Sequence, residues 1–301
     1  MPRNGSDFDF IDLMSLVSVV LPSFKMGPYI PSALESIAAQ THGEWEILLV
    51  DDCGPEDGTR GALEAFAKRH PERRIEYIRH EVNRGVSGAR NTGIEHSKGE
   101  FVICLDPDDL WSPGFLAAHL ASFRKFPNAG VSYSFPELID AKGNPLGSWD
   151  VPSSYVERFP DSLFARNYLN PSATIVRREA AGDQLYFDLS REVHEDWDLW
   201  VRLVFRGVEF AFTPEAVNYY RRHDSASSKD VELFRVRTIG LMQKHASQPR
   251  LIAAVAGTLY DQQRELAAKE YELQGLKMLY EQSLSRRLRS SLKNLLGERA
   301  N

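Results

Sequence analysis

The chain has 301 residues, and at about 150 residues per typical domain this allows one large or two smaller domains around a sizeable core. Hydrophobic residues make up 43%, aromatic 11% and charged 26% of it, a globular composition that excludes disordered, collagenous and disulfide-scaffold proteins. Lys and Arg number 36 against 42 Asp and Glu, a formal charge of −6, so no global field draws the chain to nucleic acid and none is expected as a partner.

Cys53 and Cys104 are the two cysteines, each at the end of an apolar run where a reduced thiol packs well. No uninterrupted apolar stretch approaches the ~18 residues needed to span a bilayer. Asp7, Asp9 and Asp12 stand where a signal peptide would be basic. The expected location is cytoplasmic, with membrane contact at most peripheral.

From Leu16 onward, short apolar runs alternate with amphipathic stretches. Residues 16–21, 46–50, 75–78, 101–105 and 131–135 predict strands. Residues 28–40, 59–70, 87–96 and 113–126 predict helices, with Pro28 and Pro113 suited to a first helical turn. This alternation implies an α/β fold, a mostly parallel sheet flanked by helices. Beyond Asp140 the alternation stops, and residues 142–161, with Pro145, Pro152, Pro160, Gly143 and Gly147, read as a loop-rich insertion suited to a substrate-specific surface. Residues 196–206 predict a helix with Trp197, Trp200, Leu203 and Val204 on its apolar face and Gly207 as its stop. Residues 209–220 read as one strand-like stretch, followed by a polar segment to Asp230. The remainder reads as helical, which divides the chain into a domain of residues 1–230 and a C-terminal helical extension of residues 231–301. Leu259, Leu266, Leu273 and Tyr280 recur at sevens in that extension, but glutamines and charges at the companion positions argue against a long coiled coil.

Ligands of parallel α/β sheets sit beyond the carboxyl ends of the strands. Those positions hold Pro22, Ser23 and Phe24 after the first strand, Asp51 and Asp52 after the second, and Asp106-Pro107-Asp108-Asp109 after the fourth. The first turn lacks a Gly-x-Gly-x-x-Gly fingerprint and no Gly-x-x-x-x-Gly-Lys-Ser/Thr occurs, so dinucleotide and P-loop readings fail. Three carboxylates within four residues repel one another unless a cation sits among them, and such oxygen-rich sites suit Mg²⁺ or Mn²⁺ bridged to phosphates. The plainer alternative for Asp109 is an acid favouring a helix N-terminus. Asp51 and Asp52 taken alone also fit a solvated turn, Arg84 and Arg90 fit ion pairs, and Glu195 and Asp196 fit a helix cap. Trp197 and Trp200 read as core.

The chain resembles the family 2 glycosyltransferases, inverting enzymes of the GT-A fold that use a nucleotide-diphosphate sugar. The likeness rests on Val17-Ser-Val-Val-Leu-Pro-Ser-Phe, Ile47-Leu-Leu-Val-Asp-Asp, Asn83-Arg-Gly-Val-Ser-Gly-Ala-Arg-Asn-Thr-Gly-Ile and Gly99-Glu-Phe-Val-Ile-Cys-Leu-Asp-Pro-Asp-Asp, in the family's order and spacing. It resumes at His194-Glu-Asp-Trp-Asp-Leu-Trp and Tyr219-Tyr-Arg-Arg-His-Asp-Ser-Ala-Ser-Ser, and leaves out the insertion and the last ~60 residues. The resemblance implies that Asp106 faces the ribose and donor sugar and that Asp108 binds the metal, with Asp109 sharing that role and His223 as a further ligand. It sets Asp52 near the uracil imide N–H, Pro22, Ser23 and Phe24 against the nucleotide, and Arg90 on the donor side. Asp196 becomes the catalytic base, with Glu195 beside it.

The implied activity is metal-dependent transfer of a sugar, in the first instance from a UDP-sugar, to a saccharide or lipid-linked saccharide in polysaccharide or glycoconjugate synthesis. A sugar-phosphate nucleotidylyltransferase and a non-catalytic nucleotide-sugar-binding scaffold are the alternatives. The former would want a glycine- and arginine-rich loop where Pro22-Ser-Phe-Lys stands. From Ser283 onward five basic residues face the single acid Glu298, with Leu284, Leu288, Leu292 and Leu295 on one stripe. Such a helix suits an anionic membrane surface or packing against its own chain or a second subunit.

Overall fold

The computed structural model describes residues 15–190, 194–222 and 231–257, with further residues as far as 278. His223, Leu259, Leu266, Tyr280 and the basic leucine stripe lie outside the described residues.

Strand β1, Val17–Ser23, is buried along its whole length, as expected of a central strand covered on both faces. It pairs in parallel with β2, Trp45–Asp51, on one side and with β4, Phe101–Cys104, on the other, and β2 pairs in parallel with β3, Ile75–Arg79. The connecting helices are α1 (Ile30–Ala38), α2 (Thr59–Arg69), α3 (Gly85–His96) and, after β5 (Leu110–Trp111), α4 (Phe115–Lys125). Helix α1 shows how pattern becomes packing. Ile30, Ala33, Leu34 and Ile37 fall at i, i+3, i+4 and i+7 and all are buried. Burial of each large aliphatic contributes about 1.5–3 kcal/mol. Helix α3 lies so close to β1 that a Cβ on Gly93 would stand 2.3 Å from Val20 Cγ1.

The second half departs from simple alternation. Strands β6 (Ala129–Tyr133), β7 (Glu137–Ile139) and β8 (Pro145–Ser148) precede the short helix α5 (Ser153–Glu157) and strand β9 (Thr174–Arg177). Strand β9 enters the main sheet antiparallel to both β4 and β6. Helix α6 (Arg178–Ala181) leads to α7 (Glu195–Phe205), and the strand-like stretch 209–220 resolves into two elements, β10 (Glu209–Phe212) and β11 (Asn218–Arg221). The break follows Phe212, where Thr213 and Pro214 interrupt the run. The halves belong to different sheets: the order is β10-β6-β9-β4-β1-β2-β3 in the main sheet and β5-β11-β7-β8 in the smaller one.

Helix α8, Val231–Lys244, is joined to α7 through Asp198, which accepts from Arg202 Nε (2.8 Å) and His245 Nε2 (2.8 Å) and pairs with Lys244 (2.9 Å). These partners outweigh the burial that would raise the carboxyl, and hold it far below its ordinary range. The chain divides into two compact units, residues 1–247 and 248–301, so α8, which the sequence assigns to the extension, counts with the first. Among the described residues, no helix is long and apolar enough to cross a membrane.

One buried carboxylate belongs to the fold itself. Glu46, on β2, accepts from Ser18 Oγ (2.6 Å), Lys98 N (2.5 Å) and Gly99 N (3.2 Å), and pairs with Arg74. Burial pushes its pKa up, but the hydrogen bonds and Arg74 more than offset this and hold it below the usual range.

Candidate active site

The exits of β1 and β2 form one wall. Pro22 and Ser23 are buried, while the Phe24 ring is 40% exposed. Lys25 and Cys53, directly beyond, adopt left-handed backbone with φ of 61° and 60°, unusual for residues with a side chain. Asp51 and Asp52 are buried rather than solvated. Asp51 accepts from Gly54 N (2.8 Å) and Tyr77 Oη (2.6 Å) and pairs with Arg79. Asp52 takes the N–H groups of Arg84 (2.7 Å) and Gly85 (2.8 Å) and contacts His80 Nδ1 at 2.7 Å. Asp51 therefore braces the sheet edge, and Asp52 shapes the turn that opens α3. Oδ2 of Asp52 takes one N–H and retains capacity for a second donor.

The acid loop after β4 is held from two sides. Ser172 Oγ accepts the Asp106 N–H at 3.0 Å and hydrogen-bonds the Asp109 carboxyl, while its carbonyl accepts from Trp111 Nε1 at 2.7 Å. From β11, the Arg221 N–H donates to Asp109 Oδ1 (3.1 Å) and Nε to the Asp108 carbonyl (2.9 Å), and Nη1 reaches the carbonyls of Asp140 and Ala141. Asp109 is 1% exposed and its Oδ2 has no hydrogen-bond partner among the described residues. Burial, then the charges of Asp108 and Asp106, push its pKa well up. It lies well before the first residue of α4, so it is not a helix-end acid. Asp106 and Asp108 are half-buried.

An orphaned oxygen inside a cluster of carboxylates fits a hard divalent cation. Among the described residues, no three His, Cys, Asp or Glu side chains are grouped to enclose a metal by themselves, so a cation held here would complete its shell with other oxygens.

The opposite wall starts at α7. Asp196 accepts from Asn167 Nδ2 (2.9 Å) and from the Trp197 N–H (2.7 Å). Burial and the adjacent Glu195 push its pKa up to about 7, against the opposing effect of Arg90. Trp197 and Trp200 are core residues. Arg90, from α3, joins the walls: Nη2 donates to Asp106 Oδ1 (2.8 Å) and Nη1 to Glu195 Oε1 (3.2 Å). It is 4% exposed, and the two carboxylates hold its charge firmly despite burial. Arg90 is thus a buried intrachain bridge.

The structure brings together Arg90, Asp106, Glu195 and, through their neighbours, Asp108, Asp109 and Asp196; His223 lies outside the described residues. Sequence reasoning missed Ser172, Asn167 and the bracing role of Arg221. Arg221 stood inside the Tyr219-Tyr-Arg-Arg-His stretch, a signal that marked the segment but not the residue. Ser172 carried no local signal.

The model of glycosyl transferase family 2 matches residues 18–181. The glycosyltransferase TuaG of Bacillus subtilis, named for teichuronic acid biosynthesis, is 29% identical over 71% of this chain and 82% of its own. The Escherichia coli UDP-Glc:alpha-D-GlcNAc-diphosphoundecaprenol beta-1,3-glucosyltransferase WfgD is 32% identical over 42% of this chain and 47% of its own. Among solved structures, the mannosyltransferase PcManGT of Pyrobaculum calidifontis, in complex with GDP-Man and Mn²⁺, aligns at a TM-score of 0.58 and 18% identity, covering 95% of this chain and 88% of that one. That likeness extends to the fold.

Proposed function

Because the chain belongs to glycosyl transferase family 2, we propose that it moves a sugar from a nucleotide-diphosphate donor, UDP-linked in the first instance, to an acceptor hydroxyl with inversion at the anomeric carbon. Membership sets the nucleotidylyltransferase alternative aside. The observation that carries the reading is the placement of Asp196 beside the Arg90 bridge to Asp106, with a pKa near neutrality. A general base is most effective when its pKa lies near the working pH.

In this reading Asp196 takes the proton of the acceptor hydroxyl as its oxygen bonds to C1. The bond from C1 to the diphosphate oxygen breaks, and its electron pair leaves with the nucleoside diphosphate. Asn167 orients the carboxylate. Asp106 meets the ribose and donor sugar, Pro22, Ser23 and Phe24 line the nucleotide, and the remaining acceptor capacity of Asp52 faces the base edge. Asp108 and Asp109, with His223, would hold Mn²⁺ or Mg²⁺, which supplies positive charge to the departing diphosphate.

For the acceptor we take a saccharide or a lipid-linked saccharide in cell-surface polysaccharide synthesis, in keeping with the names of TuaG and WfgD. The protein would then work at the cytoplasmic face of a membrane, with the C-terminal extension as a peripheral contact or a subunit interface.

The test is calorimetric titration with UDP and with GDP, each in Mn²⁺ and in EDTA, followed by assay of UDP-sugars for UDP release. UDP binding that requires Mn²⁺ supports the reading. GDP binding alone replaces the base but keeps the transfer chemistry. No binding in any buffer overturns it.

A further inference from the structure

Arg90 bridges the walls of the site, yet its own position is set by a residue to which sequence gave no role. Asn91, next on α3, clamps the backbone of Phe187 from both directions: Nδ2 donates to the Phe187 carbonyl at 2.8 Å, and Oδ1 accepts the Phe187 N–H at 2.7 Å. The Phe187 ring, 2% exposed, lies against the Arg90 guanidinium at 4.9 Å from carbon to ring centroid. A cation on a buried aromatic face is attracted by the ring quadrupole, more strongly away from water. The other side of the segment is tied to α7, where Arg202 donates to the carbonyls of Gln184 (2.6 Å) and Tyr186. Residues 184–187 therefore form a strut between the helix that carries Arg90 and the helix that carries Glu195 and Asp196.

We propose that Asn91 and Phe187 are positioning residues for the transfer site, holding the Arg90 guanidinium where its two arms reach Asp106 and Glu195 at once. Arg90 Nε has no partner among the described residues, so the ring and the two carboxylates determine where the fork points. A two-way clamp on the backbone, rather than on the side chain, fixes the ring's origin and leaves its face free for the cation.

The consequence reaches Asp196. The charged groups that act on it are Glu195, on its own helix, and Arg90, from α3; Asn167 and the Trp197 N–H are neutral donors. Loosening Arg90 removes an opposing positive charge and leaves Glu195 less neutralised. Both effects favour the protonated form of Asp196. The inference rests on Asp196 as the base for its catalytic meaning, although the electrostatic link can be measured without substrate.

The experiment uses the full-length protein labelled with ¹³C at the aspartate carboxyl carbon. The Asp196 resonance is assigned by its loss in Asp196→Asn and titrated by NMR in the wild type, in Asn91→Ala and in Phe187→Leu. Phe187→Leu keeps the clamp and an apolar filling but removes the π face. The expected result in both variants is an upward midpoint shift of about 0.5–1 pH unit, a three- to tenfold change in the ionisation equilibrium. Residues that only stabilise the fold would lower the melting temperature and leave the midpoint in place. An unmoved midpoint in both variants overturns the proposal. The base assignment fails separately, by full turnover of a UDP-sugar in Asp196→Asn.

Discussion

Glu46 and Asp109 are both buried acids close to the central strand, and their surroundings are opposite. Glu46 meets a hydroxyl, two backbone N–H groups and an arginine, and is held ionised below its ordinary range. Asp109 meets one backbone N–H and one serine, stands beside two further aspartates, and keeps an oxygen without a partner. The saturated carboxylate holds the fold together, whereas the one left short of a donor is the one proposed to meet a metal. Asp196 has a donor on each oxygen but shares with Asp109 a pKa raised by burial and a neighbouring acid.

The largest effect that sharpens this contrast is at Asp196. Replacement by Asn is expected to lower turnover by about 10²- to 10⁴-fold while UDP binding in calorimetry is retained. Next is Glu46→Ala, expected to cost about 2–4 kcal/mol in urea unfolding because it takes away the acceptor of the Lys98 N–H and the Ser18 hydroxyl and the buried partner of Arg74. A loss below about 0.5 kcal/mol there would break the contrast.

The pH dependence follows in size. The proposed base, Asp196, must be deprotonated to act, and its folded pKa is raised to about 7, so turnover is expected to rise with pH through that value and to fall about tenfold per unit below it. An ascending limb centred near pH 4 would instead mean that the working carboxylate is unperturbed. The smallest effect is expected at Asp109→Asn. In EDTA the variant should be as stable as the wild type or more stable by about 1 kcal/mol, since a buried charge is removed. It should also lose any rise in melting temperature that Mn²⁺ gives the wild type. Marked destabilisation in EDTA would place Asp109 with Glu46.

Much of the first half was legible before the structure. Strands 17–23, 45–51 and 101–104 are apolar runs, and the helices between them carry their buried residues at helical spacing. Acids directly after strand ends locate the rim of a parallel sheet. The rest depended on contacts without a local signature. Ser172 meets Asp106 across 66 residues, Phe187 meets Asn91 across 96, and Arg221 meets Asp109 across 112. Residues 209–220 read as one strand-like stretch, with Phe210, Ala211 and Phe212 before Thr213-Pro214 and Val217, Tyr219 and Tyr220 after it. Which sheet each half joins is decided by β6 and β5, not by the run itself.

Strand β9 has a consequence for synthesis on the ribosome. In the finished sheet it lies between β4 and β6, although both neighbours precede it in the chain. A nascent chain that has not yet delivered residues 174–177 therefore exposes two unpaired inner edges, the kind of surface on which chains associate wrongly. Ser172, which fastens the acid loop, arrives immediately ahead of that strand. The segment that closes the sheet thus also brings the residue that fastens the loop, and a chain truncated before Ser172 would lose both together.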